Sequence, residues 1–568
     1  MKSWSIGEVA RLLGVKSHVI RYWESELPLL SPPKGLSGRR EYSSREIELL
    51  LKFRHLLYEK KYTVQGARQT MWEELGGETA DLQGKLSEIR AELIEALMML
   101  RARSVEGGMS TGAETMSRFA SLGQGHLFAH WSARPEAMRR RLLDDLASFD
   151  GSLLAELMAR LSAEHPPTGE IAPAPYVTVA ESRSDAEARA LGEELVRRGK
   201  TAFLTVAGGQ GSRLGFEGPK GMFPASPIRR LSLFAILAEK LLAARRWYGA
   251  DIPWLIMTSS ANRLATEEYF ESEGFFGLGQ ESVRFFSQAM LPALFPDGRL
   301  VMACDGGLFL SPNGHGGVFE ALRREGLLAQ MSARGVEELF YFQVDNPLVT
   351  VPDPVFLGFH RRAGAEVSSK VLRKSRSEEK LGVIATVGGR PCVLEYSDID
   401  EGLMRARNGA GGLLFEQGSI AIHILNVGFL ERSEIRLPYH LARKMVRALN
   451  PTPRGADIGE REAIKMETFV FDAIPLARRA LFFEVERAEE FAPLKNREGV
   501  DSIETCGRGQ IEKAARWLEA CGVEVPRDHQ GAPAHAIEIS PLFALEPGIL
   551  GAKRGSLKDC IDEDTLLA

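Results

Sequence analysis

Cysteine is scarce. The chain has 568 residues and only five cysteines (Cys304, Cys392, Cys506, Cys521 and Cys560), odd in number, widely spaced and without a Cys-x-x-Cys pair. That excludes a disulfide framework and a thiolate zinc site. No apolar run approaches the roughly 18 residues of a membrane span, so no membrane role is expected. The start, Met1-Lys2-Ser3-Trp4, leads into an amphipathic pattern without the apolar stretch and small-residue cleavage site of a secretory signal, and a cytoplasmic location is expected. No fixed-period repeat or low-complexity segment is present. The composition, 44% hydrophobic and 26% charged, is that of a soluble protein, and the length implies several folding units.

Charge is unevenly shared. Residues 1–75 carry 13 Lys and Arg against 9 Asp and Glu, whereas the remainder carries 58 against 67. Only the amino-terminal piece suits a polyanion. There, residues 5–12 read as a short helix capped by Ser5 with Ile6, Val9, Ala10 and Leu13 on one face, and Gly14 supplies a turn. A second helix over about 17–24 carries His18, Arg21 and Tyr22, side chains able to reach phosphates or base edges. The turn-rich stretch from Pro32 to Tyr42 has Arg39 and Arg40 at its tip, as a wing lying on a nucleic-acid backbone would. Periodicity alone fits plain core packing as well. Taken together, Ile6–Val15, Ile20-Arg21-Tyr22-Trp23-Glu24 and Gly38-Arg39-Arg40-Glu41-Tyr42-Ser43 resemble the MerR family of winged-helix transcription regulators. That resemblance implies a winged helix-turn-helix over 1–76 that binds double-stranded DNA. The apolar positions Leu82, Leu86, Ile89, Leu93, Ala96 and Leu100 have the spacing of a coiled-coil seam; a surface helix packed on its own domain is the alternative, but so narrow a stripe with charged flanks predicts a dimerisation helix over 77–104 and a homodimer. A glycine-rich linker is expected at 105–114 and a helical subdomain at 115–199.

From Lys200 short apolar runs alternate with helical patterns: Thr201–Val206, 229–246, Trp254–Thr258, 317–334 and Leu339–Val344. Such alternation predicts an α/β domain over 200–480 with a mostly parallel, Rossmann-like sheet, followed by a small subdomain over 481–568. The first strand runs into Ala207-Gly208-Gly209-Gln210-Gly211-Ser212-Arg213-Leu214-Gly215 and then Pro219-Lys220-Gly221. Glycines let the backbone approach a nucleotide and aim N–H groups at phosphates, while Arg213 and Lys220 neutralise charge. A dinucleotide fingerprint needs Gly where Leu214 stands, and a Walker loop needs Gly-Lys-Ser/Thr where Pro219-Lys220-Gly221 stands, so neither fits. Beyond the strand Leu339–Val344 comes Asp345-Asn346-Pro347, good turn chemistry that also places a carboxylate where a parallel sheet binds ligands, suited to Mg²⁺ on a triphosphate.

The glycine loop resembles the signature of the eukaryotic-type UDP-N-acetylhexosamine pyrophosphorylases, within the UDP-sugar pyrophosphorylase group, and further motifs follow in order over about 115–568. The resemblance implies that Gln288, in Phe286–Pro292, reads uracil alongside Ala207, Gly208 and Gly209. It also implies that Pro312–Gly317, with Gly314 and His315, is a second glycine loop and that Asp345 holds the metal. Gly382 and Glu395 would contact the sugar, Phe469 and Phe471 would pack its N-acetyl group, and Lys495 would meet the sugar-linked phosphate. Gly123–Leu127 and Glu538–Leu542 match flanking subdomains. Two departures lie at the sugar: His315 stands where the amino-sugar enzymes carry Asn and the glucose enzymes His, and Ser419 stands where a sugar-contacting Asn is usual. The implied reaction joins UTP and a sugar 1-phosphate, N-acetylglucosamine 1-phosphate above others, into a UDP-sugar and pyrophosphate. Arg213, Lys220 and Lys495 would be the catalytic cations and Mg²⁺ the cofactor. A regulator whose transferase-like part only senses a UDP-sugar is the competing reading.

Overall fold

The computed structural model describes residues 4–27, 30, 41–60, 62, 64, 66, 67, 70, 71, 108–149, 151–161, 169–396, 399–432, 435–452 and 455–568. The chain divides into two compact units, Met1–Ser121 and Leu122–Ala568.

In the first unit a short strand β1 (Trp4–Ser5) leads into α1 (Ile6–Leu13), followed by α2 (Ser17–Glu26), β2 (Glu41–Tyr42) and α3 (Ser44–Arg54). Glu8 accepts a hydrogen bond from the Ser5 amide at 2.7 Å and closes the first turn of α1. Gly14, at φ +66°, takes the left-handed conformation that ends α1. Val9, Leu13, Ile20, Trp23, Tyr42, Leu50 and Phe53 form one core, with Trp23 edge-on to Phe53 at 5.7 Å. β1 pairs with β2 antiparallel, Trp4 opposite Tyr42. The expected dimer seam over 77–104, and Arg39 and Arg40, lie outside the described residues. The expected linker is corrected in part: a helix spans Gly108–Phe119. Glycine costs about 1 kcal/mol in a helix, but the good helix formers Ala113, Glu114 and Met116 and the fully buried Phe119 offset it.

The second unit opens with short helical turns at Gly125–Phe128 and Trp131–Ala133, followed by helices Glu136–Ala147 and Gly151–Leu161. Its centre is a ten-stranded sheet: β3 (Ile171–Pro173), β4 (Thr201–Val206), β5 (Trp254–Thr258), β6 (Val283–Ser287), β9 (Glu338–Gln343), β10 (Val367–Arg373), β11 (Val383–Val387), β12 (Arg390–Leu394), β13 (Gln417–Asn426) and β16 (Ala480–Glu484). The strands β7 (Met290–Pro292) and β8 (Leu310–Pro312) pair separately. The parallel run β6-β5-β4-β9 is the half expected from strand–helix alternation. The expectation of a mostly parallel sheet is corrected beyond β9, because β13 pairs antiparallel with β9, β10 and β11. The hairpin β11–β12 turns at Gly388-Gly389, both at positive φ, which needs no crossover helix. Along β4, Phe203 joins one core while Ala202 and Leu204 join the other, so apolar layers cover both faces.

A two-stranded ribbon, β14 (His440–Thr452) and β15 (Gly455–Glu467), follows. The carboxyl-terminal subdomain contains helix Ile503–Ala520, helix Pro547–Ala552 and the parallel pair β17 (Ile537–Ile539) and β18 (Thr565–Leu567), around a core of its own. Among the described residues no helix is long and apolar enough to cross a membrane.

Candidate active site

β4, buried from Thr201 to Thr205, ends where the glycine loop begins. The loop folds back on itself: the Gly211 amide donates to Gly218 O at 2.9 Å and the Lys220 amide to Gly209 O at 3.0 Å. Gly215, at φ +69°, closes a short turn over Ser212–Leu214. Its base is held by Asn262, a residue that sequence reasoning missed. The Asn262 amide donates to Ala207 O at 2.8 Å and to Gly209 O at 3.3 Å, while its oxygen accepts from the Ser259 amide. Only the carbonyls some 50 residues earlier reveal this role.

Gly208 faces Gln288. A Cβ on Gly208 would lie 2.6 Å from the Gln288 side-chain nitrogen, so a larger residue there would displace the Gln288 amide. Gln288 is buried, its backbone amide donating to Thr258 O at 3.0 Å.

Lys220 and Asp345 meet. The Lys220 ammonium donates to Asp345 Oδ2 at 2.8 Å, with both side chains about nine-tenths buried. The segment carrying Lys495 is bound to both loops, since Leu494 N donates to Asp345 O at 2.8 Å and Arg497 N to Arg213 O at 3.1 Å. Lys495 lies 3.1 Å from Asp501 and is about one-third exposed. Arg213 is exposed, with no side-chain ion partner among the described residues. Glu538 is a second holder that sequence reasoning only placed in a subdomain. Its carboxylate accepts from the amides of Ile228 and Arg229 and from Arg229 Nε at 2.7 Å, fixing the turn between the glycine loop and helix Leu233–Tyr248.

The second glycine loop packs against the strand end at Glu467. Gly314 has φ +81°, and a Cβ there would lie 2.4 Å from Thr468 O. The His315 ring is stacked on Phe469 at 5.2 Å, and its Nδ1 accepts from the Val470 amide at 3.1 Å, which leaves the proton on Nε2. Burial, then the neighbouring His440, pushes its pKa down to about 4, so the ring is neutral at physiological pH. Phe469 lies 5.1 Å from Phe471 and 4.5 Å from His440, and His440 pairs with Asp472 at 2.9 Å; the last two were not foreseen. Gly382 and Ser419 are neighbours, the Ser419 amide donating to Gly382 O at 2.8 Å. Glu395 closes this corner: its Oε1 would be 3.7 Å from a Cβ on Gly382. The Ser419 hydroxyl is buried without a protein partner. His423 is fully buried and donates or accepts at Ser369 Oγ through Nδ1, at 2.7 Å.

In the first unit Arg21 and Tyr22 are exposed on α2, whose residues include His18.

Two family models match this chain. Residues 161–501 match UTP--glucose-1-phosphate uridylyltransferase, and residues 4–74 match MerR HTH family regulatory protein. The UDP-N-acetylglucosamine pyrophosphorylase of Saccharomyces cerevisiae is 34% identical over 440 residues, covering 72% of this chain and 92% of the yeast protein. The UDP-N-acetylhexosamine pyrophosphorylase-like protein 1 of Homo sapiens is 34% identical over 473 residues, covering 77% of this chain and 93% of the human one. The uridine diphosphate N-acetylglucosamine pyrophosphorylase from Trypanosoma brucei, solved with an inhibitor, superposes with a TM-score of 0.65 at 25% identity over 81% of this chain and 98% of that one. The chain belongs to the UDP-sugar pyrophosphorylase family, its catalytic unit being a UTP:sugar-1-phosphate uridylyltransferase joined to a MerR-type amino-terminal segment.

Proposed function

We propose that the enzyme transfers uridylate from UTP to N-acetylglucosamine 1-phosphate. A phosphate oxygen of the sugar phosphate attacks the α-phosphorus of UTP, the bond to the β-phosphate breaks, and pyrophosphate leaves with the electron pair. The attacking phosphate is already ionised at neutral pH, so no general base is needed. The residues contribute positioning and charge neutralisation. The observation that carries this reading is the Lys220–Asp345 contact, which brings the cation of the glycine loop to the carboxylate beyond β9.

In this reading Ala207, Gly208, Gly209 and Gln288 receive the uracil end, and Arg213 and Lys220 hold the triphosphate. Lys495 meets the sugar-linked phosphate, and Gly314, His315, Gly382, Glu395, Ser419, Phe469 and Phe471 surround the sugar. The unpartnered Ser419 hydroxyl offers a sugar hydroxyl a hydrogen bond. Asp345 suits Mg²⁺: among the described residues no cluster of three or more metal-ligating side chains exists, and Mg²⁺ on a nucleotide takes one or two carboxylates with phosphate and water as its other ligands. Bound there, the ion would offset phosphate charge.

The amino-terminal unit, in the same reading, binds double-stranded DNA as a homodimer, through His18, Arg21 and Tyr22 on α2 and through Arg39 and Arg40. Its net positive charge and the exposed side chains of α2 support this. Pyrophosphate release from UTP with Mg²⁺ and a panel of sugar 1-phosphates tests the catalytic part. Tight UDP-sugar binding with no turnover on any of them would make the second unit a sensor instead.

A further inference from the structure

A cavity of about 110 Å³ lies between helix Leu233–Tyr248 and helix Ile503–Ala520 of the carboxyl-terminal subdomain, and the segment Pro347–Val351 lines it. Two lysines reach that segment from opposite elements. Lys240 Nζ donates to Pro347 O at 2.6 Å and to Val349 O at 2.5 Å. Lys513 Nζ donates to Leu348 O at 3.1 Å and to Glu489 O at 2.6 Å. Three consecutive carbonyls, starting two residues after Asp345, are therefore held by two side-chain amines. Among the described residues neither lysine has a carboxylate within ion-pair distance, whereas the nearby Lys370 has two, Asp353 at 2.8 Å and Glu490 at 2.7 Å.

The rest of the segment is tied just as closely. Asn346 donates to Glu490 O at 2.7 Å and accepts from the Ala492 amide at 3.1 Å, and the Thr350 amide donates to Glu490 Oε2 at 3.0 Å. A backbone leaving a strand has carbonyls without ladder partners, and buried ones need donors. Water or a turn would satisfy them locally. Lysine amines taken from two distant helices cost more, because burying an ammonium without a counter-charge is unfavourable. What this arrangement adds is rigid placement: the Asp345 loop is fixed both to the helix that follows the Lys220 loop and to the carboxyl-terminal subdomain.

We propose that Lys240 and Lys513 are positioning residues that clamp the Asp345 loop and hold its carboxylate against Lys220. The proposal rests on the reading of Asp345 as the carboxylate that meets the metal–triphosphate. Without either amine the 345–350 backbone relaxes, and a displacement of a fraction of an ångström at the reacting groups lowers the rate more than it weakens sugar binding.

The test uses the full-length protein with Lys240→Met and Lys513→Gln, each measured for kcat, for KM of both substrates, for the Mg²⁺ concentration at half-maximal rate, and for hydrogen exchange of residues 345–351 without substrates. The expected result is a kcat lowered about tenfold or more, a raised Mg²⁺ requirement and a sugar-phosphate KM within about twofold of native. Exchange should quicken within 345–351 while helices Gly151–Leu161 and Ile503–Ala520 keep native rates. Native kcat and Mg²⁺ requirement in either folded variant would overturn the proposal, as would exchange quickened evenly throughout the catalytic unit. If Lys240→Met does not fold, Lys513→Gln alone decides, its shorter amide being unable to span both carbonyls. A native protein that releases no pyrophosphate would refute the catalytic reading, and the exchange arm would still decide the clamp.

Discussion

The Lys220 ammonium lies 2.8 Å from the Asp345 carboxylate, across 125 residues of sequence and between two different strand ends. Both side chains are about nine-tenths buried, so little solvent is at hand to replace either partner when the pair is broken. Alanine at either position should lower the rate of pyrophosphate release on the order of a hundredfold, since each removal leaves transition-state charge uncompensated. Each single variant should also lose about 3 kcal/mol of stability by leaving its partner buried and unpaired. The double variant should regain part of that stability but none of the activity. Denaturant melts alongside turnover check this, and a double variant no more stable than the singles would refute the coupling.

Sugar choice is expected to favour N-acetylglucosamine 1-phosphate over glucose 1-phosphate. Packing the acetyl methyl on Phe469 and Phe471 is worth about 0.8 kcal/mol, or about fourfold in kcat/KM. The stack of His315 on Phe469 narrows the margin, because part of that ring is already covered. A higher kcat/KM with glucose 1-phosphate would make His315 the guide to specificity and the aromatic pair plain packing.

Two glycines of the loops should differ in tolerance. Gly314→Ala places a Cβ 2.4 Å from a backbone carbonyl at φ +81°, and should cost about 2 kcal/mol or more and depress turnover. At Gly209 a Cβ meets nothing within 4 Å, so Gly209→Ala should stay within about 0.5 kcal/mol of native stability. If Gly209→Ala loses turnover without losing stability, nucleotide approach is what that glycine serves.

Acid should destabilise the catalytic unit through its buried histidines. Burial lowers His315 to about 4 and His423 to about 3, from an ordinary 6.5. As pH falls below 6.5 the unfolded chain takes up protons that the folded chain refuses, so stability declines toward those lower values and is fully present above 6.5. The slope approaches about 1.4 kcal/mol per pH unit for each histidine. Melting curves between pH 7 and pH 4 should show His423→Gln to be less acid-sensitive than native; an unchanged slope would remove His423 from the account.

For the amino-terminal unit, Arg39→Ala with Arg40→Ala should weaken binding to all duplexes and flatten the salt dependence, as loss of phosphate contacts does. Arg21→Ala, and His18→Ala beside it, should instead shift which two-fold symmetric site is preferred. Selection from random duplexes with the full chain checks both. A protein that is monomeric and enriches no palindrome would make this unit a helical interaction module.

Much of the catalytic half was legible in residue order. The strands Thr201–Val206 and Trp254–Thr258 fall where apolar runs predicted them, because a strand covered on both faces leaves an uninterrupted hydrophobic trace. Lys220 and Asp345 could each be singled out by residue type beside a turn. Their contact could not, since it depends on β4 and β9 being neighbours in the sheet. The antiparallel half leaves no such trace, because β10 and β11 are linked by the irregular stretch 374–382, β11 and β12 by a two-glycine hairpin, and β12 and β13 by a connection whose helix, Glu401–Arg405, is a single turn. Asn262, Glu538 and His440 are ordinary polar residues in sequence. Their roles appear only with their partners, which are as far as 310 positions away for Glu538 and Ile228.

That distance has a consequence for synthesis. Glu538 stands on β17, and the strand that pairs with β17 is β18, Thr565–Leu567. Ile228 and Arg229 leave the ribosome more than 300 residues before the carboxylate that anchors them is made. Domains otherwise tend to fold in order of emergence, so the turn at Ile228 and Arg229 stays without its carboxylate partner until β17 and β18 have been made. A pause in translation between Arg229 and Leu567 would prolong that stage, and codon choice within that stretch would then affect the yield of active enzyme more than codon choice before it.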